Sequence, residues 1–219
     1  MELNCLIVDI DNTIADPSER LERSLADLGR REVYEKTSDK FGGFEEYLSS
    51  EELDEFWRLF LSGKYLQHDQ PAPGAADFLN KVNSKGVELF YLTGRHDDSG
   101  DSMRPGTVEW LNSHGFPVPN QAGVELFMKP HRYDNDREYK RSLLSELLTS
   151  GSDCRNPVGI GDHPNDAAVY ELTGVMPVLL EWLGLFPREE LRAAGSEVLV
   201  LENWEEIEMK FSGKLKAKH

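Results

Sequence analysis

Leu3-Asn4-Cys5-Leu6-Ile7-Val8-Asp9-Ile10-Asp11-Asn12-Thr13 is the stretch on which the reading of this chain turns. Leu3 to Asp9 is a near-continuous apolar run, the pattern of a strand buried on both faces. It ends on two carboxylates one residue apart. Such a pair is costly to bury without a partner, and a hard cation such as Mg²⁺, which takes oxygen ligands, is one solution. Asp and Asn also suit an ordinary strand-to-loop turn, so this pair alone leaves both readings open. An EF-hand is excluded by counting from Asp9: the sixth position is Ile14 where Gly is needed, and the twelfth is Arg20 where Glu is needed.

Working outward, the chain alternates strand and helix. Helical patterns at 75–84, 107–114, 137–148 and 166–172 separate strand patterns at 87–92, 124–127, 157–161 and 175–180. A further helix, a strand at 198–201 and a helix from Trp204 follow. Strands separated by helices of this length imply parallel pairing and right-handed crossovers. The expected fold is α/β, a Rossmann-like parallel sheet flanked by helices. Residues 16–70 break the alternation. Leu21, Leu25 and Leu28, and then Leu53, Phe56, Trp57, Phe60 and Leu61, recur at helical spacing until Pro71, Pro73 and Gly74. This reads as a helical insertion after the first strand, leaving 1–15 and 71–219 as the core. The aromatics Phe41, Phe44, Tyr47, Phe56, Trp57 and Tyr65 are expected to form the insertion's own core rather than a substrate platform, and Gly42-Gly43 marks either a substrate loop or a plain turn. The segment after about 185 is expected only to pack on the sheet edge, and the basic tail from Lys214 to His219 to be disordered.

Ligands of open parallel sheets bind beyond the carboxyl ends of the strands, so the residues there carry the function. The second strand ends in Thr93-Gly94-Arg95, a hydroxyl and a loosened backbone able to donate to phosphate oxygens. Lys129, Arg132 and Lys140 follow the third strand. The fourth is followed by Gly161-Asp162-His163-Pro164-Asn165-Asp166, two more carboxylates four apart, where Asp166 also suits a helix cap. A carboxylate pair, a hydroxyl, a lysine and a second carboxylate pair thus stand at four successive strand ends.

The 219 residues suffice for one α/β domain with a small insertion. The net charge of −16 lacks the basic footprint of a nucleic-acid binder. An anionic substrate must therefore be held by a few local cations and a metal. No apolar stretch approaches the roughly 20 residues of a membrane span, and the first residues do not read as a secretion signal; the expected location is cytoplasmic. Cys5 reads as a small buried side chain and Cys154 as a loop residue, with neither a zinc site nor a disulfide expected.

The D-x-D-x-T pattern of Asp9, Asp11 and Thr13, with Thr93, a lysine and the Asp162/Asp166 pair, resembles the haloacid dehalogenase superfamily over about residues 1–185. The Thr93-Gly94-Arg95 stretch, with Arg104, Thr107 and Trp110-Leu111, is also similar to its acid-phosphatase and polynucleotide-kinase-type branches. The resemblance implies a phosphatase acting on phosphomonoesters, with Asp9 as nucleophile forming an aspartyl-phosphate and Asp11 as acid–base. Mg²⁺ would be held by Asp9, the Asp11 carbonyl, Asp162 and Asp166. Thr93, Gly94 and Lys140, with Lys129 in reserve, would bind phosphate. The insertion would be a cap. Dehalogenation is disfavoured because Asp stands at position 11. A phosphomutase or phosphotransferase on the same site, or a non-catalytic Mg-binding interaction module, are the alternatives. His68-Asp69 and His96-Asp97 prompt a third, an HD-type metal phosphohydrolase. Partners are a small phosphorylated metabolite or a nucleotide, with Arg95, Arg104 and Arg132 as candidates to grip a second anionic group; composition does not fix the oligomeric state.

Overall fold

The opening apolar run becomes an inner strand of a parallel sheet. The computed structural model of the chain describes residues 2–37, 43–98, 103–149 and 154–215. In it β1 (Cys5–Val8) is buried along its length. The chain continues through the short β2 (Ala15–Asp16), then α1 (Ser18–Asp27), α2 (Arg31–Thr37) and α3 (Ser50–Phe60), to β3 (Gln70–Pro71). Then come α4 (Ala75–Ser84), β4 (Glu88–His96), α5 (Arg104–Ser113), β5 (Val124–Lys129), α6 (Asp136–Thr149), β6 (Val158–Gly161) and α7 (Pro164–Thr173). The chain finishes with β7 (Met176–Leu180), α8 (Arg188–Ala193), β8 (Leu199–Leu201) and α9 (Trp204–Phe211).

Six strands form one sheet in the order β5-β4-β1-β6-β7-β8, each neighbouring pair parallel. From β1 the chain builds outward to β4 and β5, then crosses back to β6 and builds to β8. The order reverses beside β1, and the crevice beyond β1 and β6 is where such sheets bind ligands. Alternation along β1 sends side chains to two cores. Leu6 and Val8 meet α4, α5 and α9 through Phe78, Trp110 and Ile207. Cys5 and Ile7 meet α6 and α7 through Leu144 and Tyr170.

Between β2 and β3, which pair antiparallel, the described residues are helical and carry a separate core of Leu21, Leu25, Val33, Phe44, Phe56 and Phe60. α3 opens with a capping box: the Ser49 side chain accepts from the Glu52 amide and Glu52 reaches back to the Ser49 amide. Tyr47 stands 46% exposed, so not every aromatic of the segment is core. Phe41, Gly42 and the tail beyond Leu215 lie outside the described residues.

Two expectations change. Cys5, read as a lone buried side chain, is disulfide-bonded to Cys154, with Cα atoms 5.0 Å apart across a separation of 149 residues. β1 lies beside β6, and Cys154 sits in the connection that enters β6, so topology joins what spacing kept apart. The C-terminal segment also does more than cover the sheet edge. β8 is that edge, but the Trp204 indole at the start of α9 donates to the Thr13 carbonyl at 3.0 Å and so buttresses the loop after β1.

The close approach of α7 to β6 depends on Gly159, where an added Cβ would meet the Tyr170 ring at 2.6 Å. Gly159→Ala is expected to destabilise the fold by about 1–3 kcal/mol, read as a lower urea midpoint at unchanged slope. A midpoint equal to the parent's contradicts this packing.

Candidate active site

The end of β1 is fixed before its chemistry begins. The Asp9 amide donates to the Ile160 carbonyl at 2.9 Å, tying the residue to β6. The chain then turns tightly: the amides of Thr13, Ile14 and Ala15 all donate to the Ile10 carbonyl, and Asn12 takes a left-handed conformation with φ of 59°. Asn is among the few non-glycine residues that adopt it readily. The Trp182 indole donates to the Asn12 carbonyl, so two tryptophans clamp this turn from outside.

Asp9, Asp162 and Asp166 converge there, all buried, with one carboxylate oxygen of each within 4.8 Å of the others. Asp162 follows β6 and accepts from the Thr13 hydroxyl at 3.2 Å. Asp166 stands in the first turn of α7, whose N-cap is His163. It lies against the strand end because Gly161 has no Cβ; one would fall 2.6 Å from its Oδ2. Lys140 reaches in from α6, its Nζ 3.2 Å from Asp9 and 2.8 Å from Asp166. Of the two candidate lysines this is the one that touches Asp9. Lys129 instead donates to the carbonyls of Arg132 and Asp134 and to the Asp136 carboxylate, and so shapes the 132–136 loop.

Three carboxylates against one ammonium leave two formal negative charges at buried positions, an arrangement a divalent cation offsets. The charge state shows the strain. Burial pushes Asp9 up to about 7, opposed by Lys140 and reinforced by Asp166 and Asp11. Burial pushes Asp162 well above the usual range, with Asp166 and Asp9 adding to it. Burial works against the charge on Lys140, but Asp166 and Asp9 outweigh it and raise its pKa. An oxygen-only donor set of this kind fits Mg²⁺. Among the described residues it is the one group of three such ligands, and neither His68-Asp69 nor His96-Asp97 belongs to it. His68 faces Glu19, His96 donates to the Leu61 carbonyl and Asp97 pairs with Arg104.

Asp11 points elsewhere. Arg95 grips it through two nitrogens at 3.0 and 2.8 Å, and Arg20 of α1 pairs with it as well. Burial would raise its pKa, but the two guanidiniums outweigh that and hold it well below the usual carboxylate range. Both arginines are fully buried, and both also pair with Asp69, Arg95 at 3.0 Å and Arg20 at 3.1 Å. Arg95 is thus committed within the protein. Arg104 pairs with Asp97 and donates to the Leu126 carbonyl, and it does not line the cavity above Asp9. Arg132 does, as do Thr93 and Gly94. Thr93 stands inside β4, which continues to His96 through a register irregularity after Leu92, where the sequence suggests a strand ending at Leu92. Its hydroxyl accepts from the Arg95 amide.

The sequence reading gave Arg20 no role and named Asp69 only beside His68, not as a partner of arginines. They flank the helical insertion some fifty residues apart, and only the fold brings them together. Their signal was faint: a charged residue beside an apolar helical stripe, and a second just before the prolines. The cavity itself holds about 540 Å³. Its far side comes from α3 and the residue after it: Asp54, Trp57, Phe60 and Leu61.

No family model matches the chain. Over 71 residues it is 32% identical to a Bacillus cereus protein described as a "Putative nucleotidase"; the match covers 32% of this chain and 35% of that protein, about a third of its length. A Clostridium difficile structure described as a "Putative Phosphatase" superposes with a TM-score of 0.72 at 17% identity, covering 96% of this chain and 99% of the other. A haloacid dehalogenase-like family hydrolase from Streptococcus pneumoniae gives 0.69 at 18%, covering 95% and 98%. At these identities the likeness is one of architecture: the chain has the haloacid dehalogenase-like fold.

The raised carboxylates set a pH dependence. Without a cation, the folded state holds protons on Asp9 and Asp162 that the unfolded chain loses near pH 4, so stability falls as pH rises from about 4 to 7. A cation that binds the ionised cluster reverses this. Mg²⁺ is therefore expected to raise the melting temperature of EDTA-treated protein more at pH 7.5 than at pH 5.5. Equal increments at both pH values contradict the assignment.

Proposed function

We propose that this chain is a Mg²⁺-dependent phosphatase that hydrolyses a phosphomonoester through an aspartyl-phosphate on Asp9. The observation that carries this reading is the placement of Asp9: a buried carboxylate fixed at the switch point of the sheet, 3.2 Å from Lys140 and grouped with two more carboxylates. The fold shared with proteins described as phosphatases and hydrolases supports it, as does the stretch shared with the Bacillus cereus protein.

In this reading an Asp9 oxygen attacks phosphorus and the bond to the leaving oxygen breaks, its proton supplied by Asp11. Water then attacks the phosphoryl group, Asp11 takes the proton, and the Asp9 carboxylate is restored. Asp9, Asp162 and the Asp11 carbonyl, with Asp166 alongside, would hold Mg²⁺, which would supply positive charge against the phosphoryl oxygens. Lys140 adds positive charge, and Thr93 and Gly94 present a hydroxyl and a backbone amide to the same oxygens. Thr13 orients Asp162. The helical segment from about 16 to 70 acts as a cap that excludes water from the cavity.

Asp11 as found has both oxygens engaged by guanidiniums, which makes it a poor proton donor. Arg20 rides on the first cap helix, so movement of the cap would withdraw that one guanidinium and leave Asp11 paired with Arg95 of the core. A cytoplasmic location stands against the Cys5–Cys154 bond, since reducing compartments keep such pairs as thiols. Among the described residues no helix is long and apolar enough to cross a membrane.

Phosphate release from a panel of phosphomonoesters tests the proposal. Wild type with Mg²⁺ is expected to turn over, and Asp9→Asn to lose at least about 10³-fold in kcat. Lys140→Ala is expected to lose about 10²–10³-fold. Activity that survives Asp9→Asn, or that ignores EDTA, overturns it.

A further inference from the structure

Ligands of a parallel sheet gather beyond the carboxyl ends of its strands. The site at Asp9 takes its residues from the ends of β1, β4 and β6 and from α6 and α7. β7 and β8 run parallel to β6 and open on the same edge. In their register Leu180 pairs with Leu201, so the next residues, Glu181 and Glu202, stand side by side. The Glu181 amide donates to the Leu201 carbonyl at 3.0 Å and fixes that level. A tryptophan follows each: Glu181-Trp182 and Glu202-Asn203-Trp204.

These residues line a second cavity of about 570 Å³, with Pro73 and Phe186 adding to its apolar side. It is no smaller than the cavity above Asp9. The indole N–H groups are already spent, Trp182 on the Asn12 carbonyl and Trp204 on the Thr13 carbonyl. What these rings can offer a ligand is therefore π surface, not a donor. Phe186 meets the His163 ring edge to face, with centroids 4.8 Å apart, and His163 lines the cavity above Asp9. The two cavities are thus neighbours with separate linings.

The polar side of the second cavity is negative. Arg188 donates through Nη1 to Glu181 at 2.7 Å and to Glu202 at 2.9 Å, and Glu206 accepts from the Glu202 amide. One guanidinium stands among these three carboxylates, a formal surplus of two negative charges. The charge is not gathered to a point: among the described residues the one group of three such ligands close enough to share a metal ion is at Asp9. Spread negative charge beside aromatic carbon is the complement of a large, weakly hydrated cation, which the ring quadrupole also attracts. A neutral ligand would leave the surplus unanswered, and an anion would be repelled.

We propose that the cavity beyond β7 and β8 is a binding site for a small organic cation of the quaternary-ammonium class, separate from the site at Asp9. Its aromatic side receives the alkylated ammonium head, and Glu181 and Glu202 supply the counter-charge. The proposal does not depend on the reaction at Asp9. The same two indoles clamp the turn after β1, so a bound cation perturbs their N–H groups and is read there.

Titration of the full chain with choline in the presence of Mg²⁺, followed through the indole N–H signals by NMR, tests this. The uncharged isostere 3,3-dimethyl-1-butanol is the control, and Trp182→Phe and Trp57→Phe identify two of the signals. Choline is expected to shift the Trp182 signal saturably and to leave that of Trp57, which lines the other cavity, in place. It is expected to bind at least about threefold more tightly than the isostere, the scale of one exposed cation–π contact. Glu202→Gln changes an exposed side chain of the cavity and is expected to weaken choline at least about twofold. Glu208→Gln removes the same charge from α9 outside the cavity, where Glu208 pairs with Lys81, and is expected to leave binding unchanged. Shifts that never saturate, or equal binding of choline and its isostere, overturn the proposal. So does a choline shift at Trp57 in place of Trp182, which puts the cation above Asp9. Equal weakening by Glu202→Gln and Glu208→Gln also overturns it, since that is the general attraction of an acidic surface.

Discussion

Three buried carboxylates share one ammonium at the switch point of the sheet, and the rest of the molecule is arranged around that imbalance. Each carboxylate arrives from a different constraint. Asp9 is carried by the strand end and locked to β6 by its amide. Asp162 is held by the Thr13 hydroxyl, and Asp166 lies against a glycine that gives it room. Lys140 is long enough to reach two of them from α6. Left uncompensated, such a cluster destabilises the fold at neutral pH; with a divalent cation it becomes a pre-organised site for an anionic phosphoryl group. The two indole clamps on Asn12 and Thr13 belong to the same economy of position, since the turn they grip sets where Asp9 and Asp11 diverge.

A second, balanced cluster stands beside the first. Asp11 and Asp69 face Arg20 and Arg95, two charges of each sign, all but Asp11 fully buried. Arg20 and Asp69 lie at the two passages between core and helical segment, and Asp11 and Arg95 belong to the core. Burial outweighs the two guanidiniums at Asp69, pushing it up to about 6, while at Asp11 the same guanidiniums win. Ion pairs of this kind are geometrically demanding, so the orientation of the segment and the availability of Asp11 are mechanically one question.

Much of this was legible from residues alone. The parallel α/β architecture followed from alternation, and Asp9, Thr93, Lys140, Asp162 and Asp166 could be named as candidates because ligands gather at the carboxyl ends of parallel strands; the order of the strands could not. Lys140 was preferred over Lys129 only through the family resemblance; in the structure Lys129 ends β5 and turns to the 132–136 loop, while Lys140 projects from α6 to Asp9. The Cys5–Cys154 bond was invisible because it depends on which strands are neighbours. That Arg95 is buried and paired with Asp11 and Asp69, and that Arg104 pairs with Asp97, could not be read from the sequence, because an arginine's partners depend on the fold. Trp57 read as core, and half of that reading held: its ring packs on three phenylalanines while the side chain also lines the cavity.

Acid quench of wild type turning over a phosphomonoester with Mg²⁺, followed by borohydride reduction and peptide mass analysis, probes the central claim most directly. The account predicts an acyl phosphate reduced to homoserine at position 9 and nowhere else. Covalent phosphate on another residue, or steady phosphate release with no modification at position 9, would contradict it.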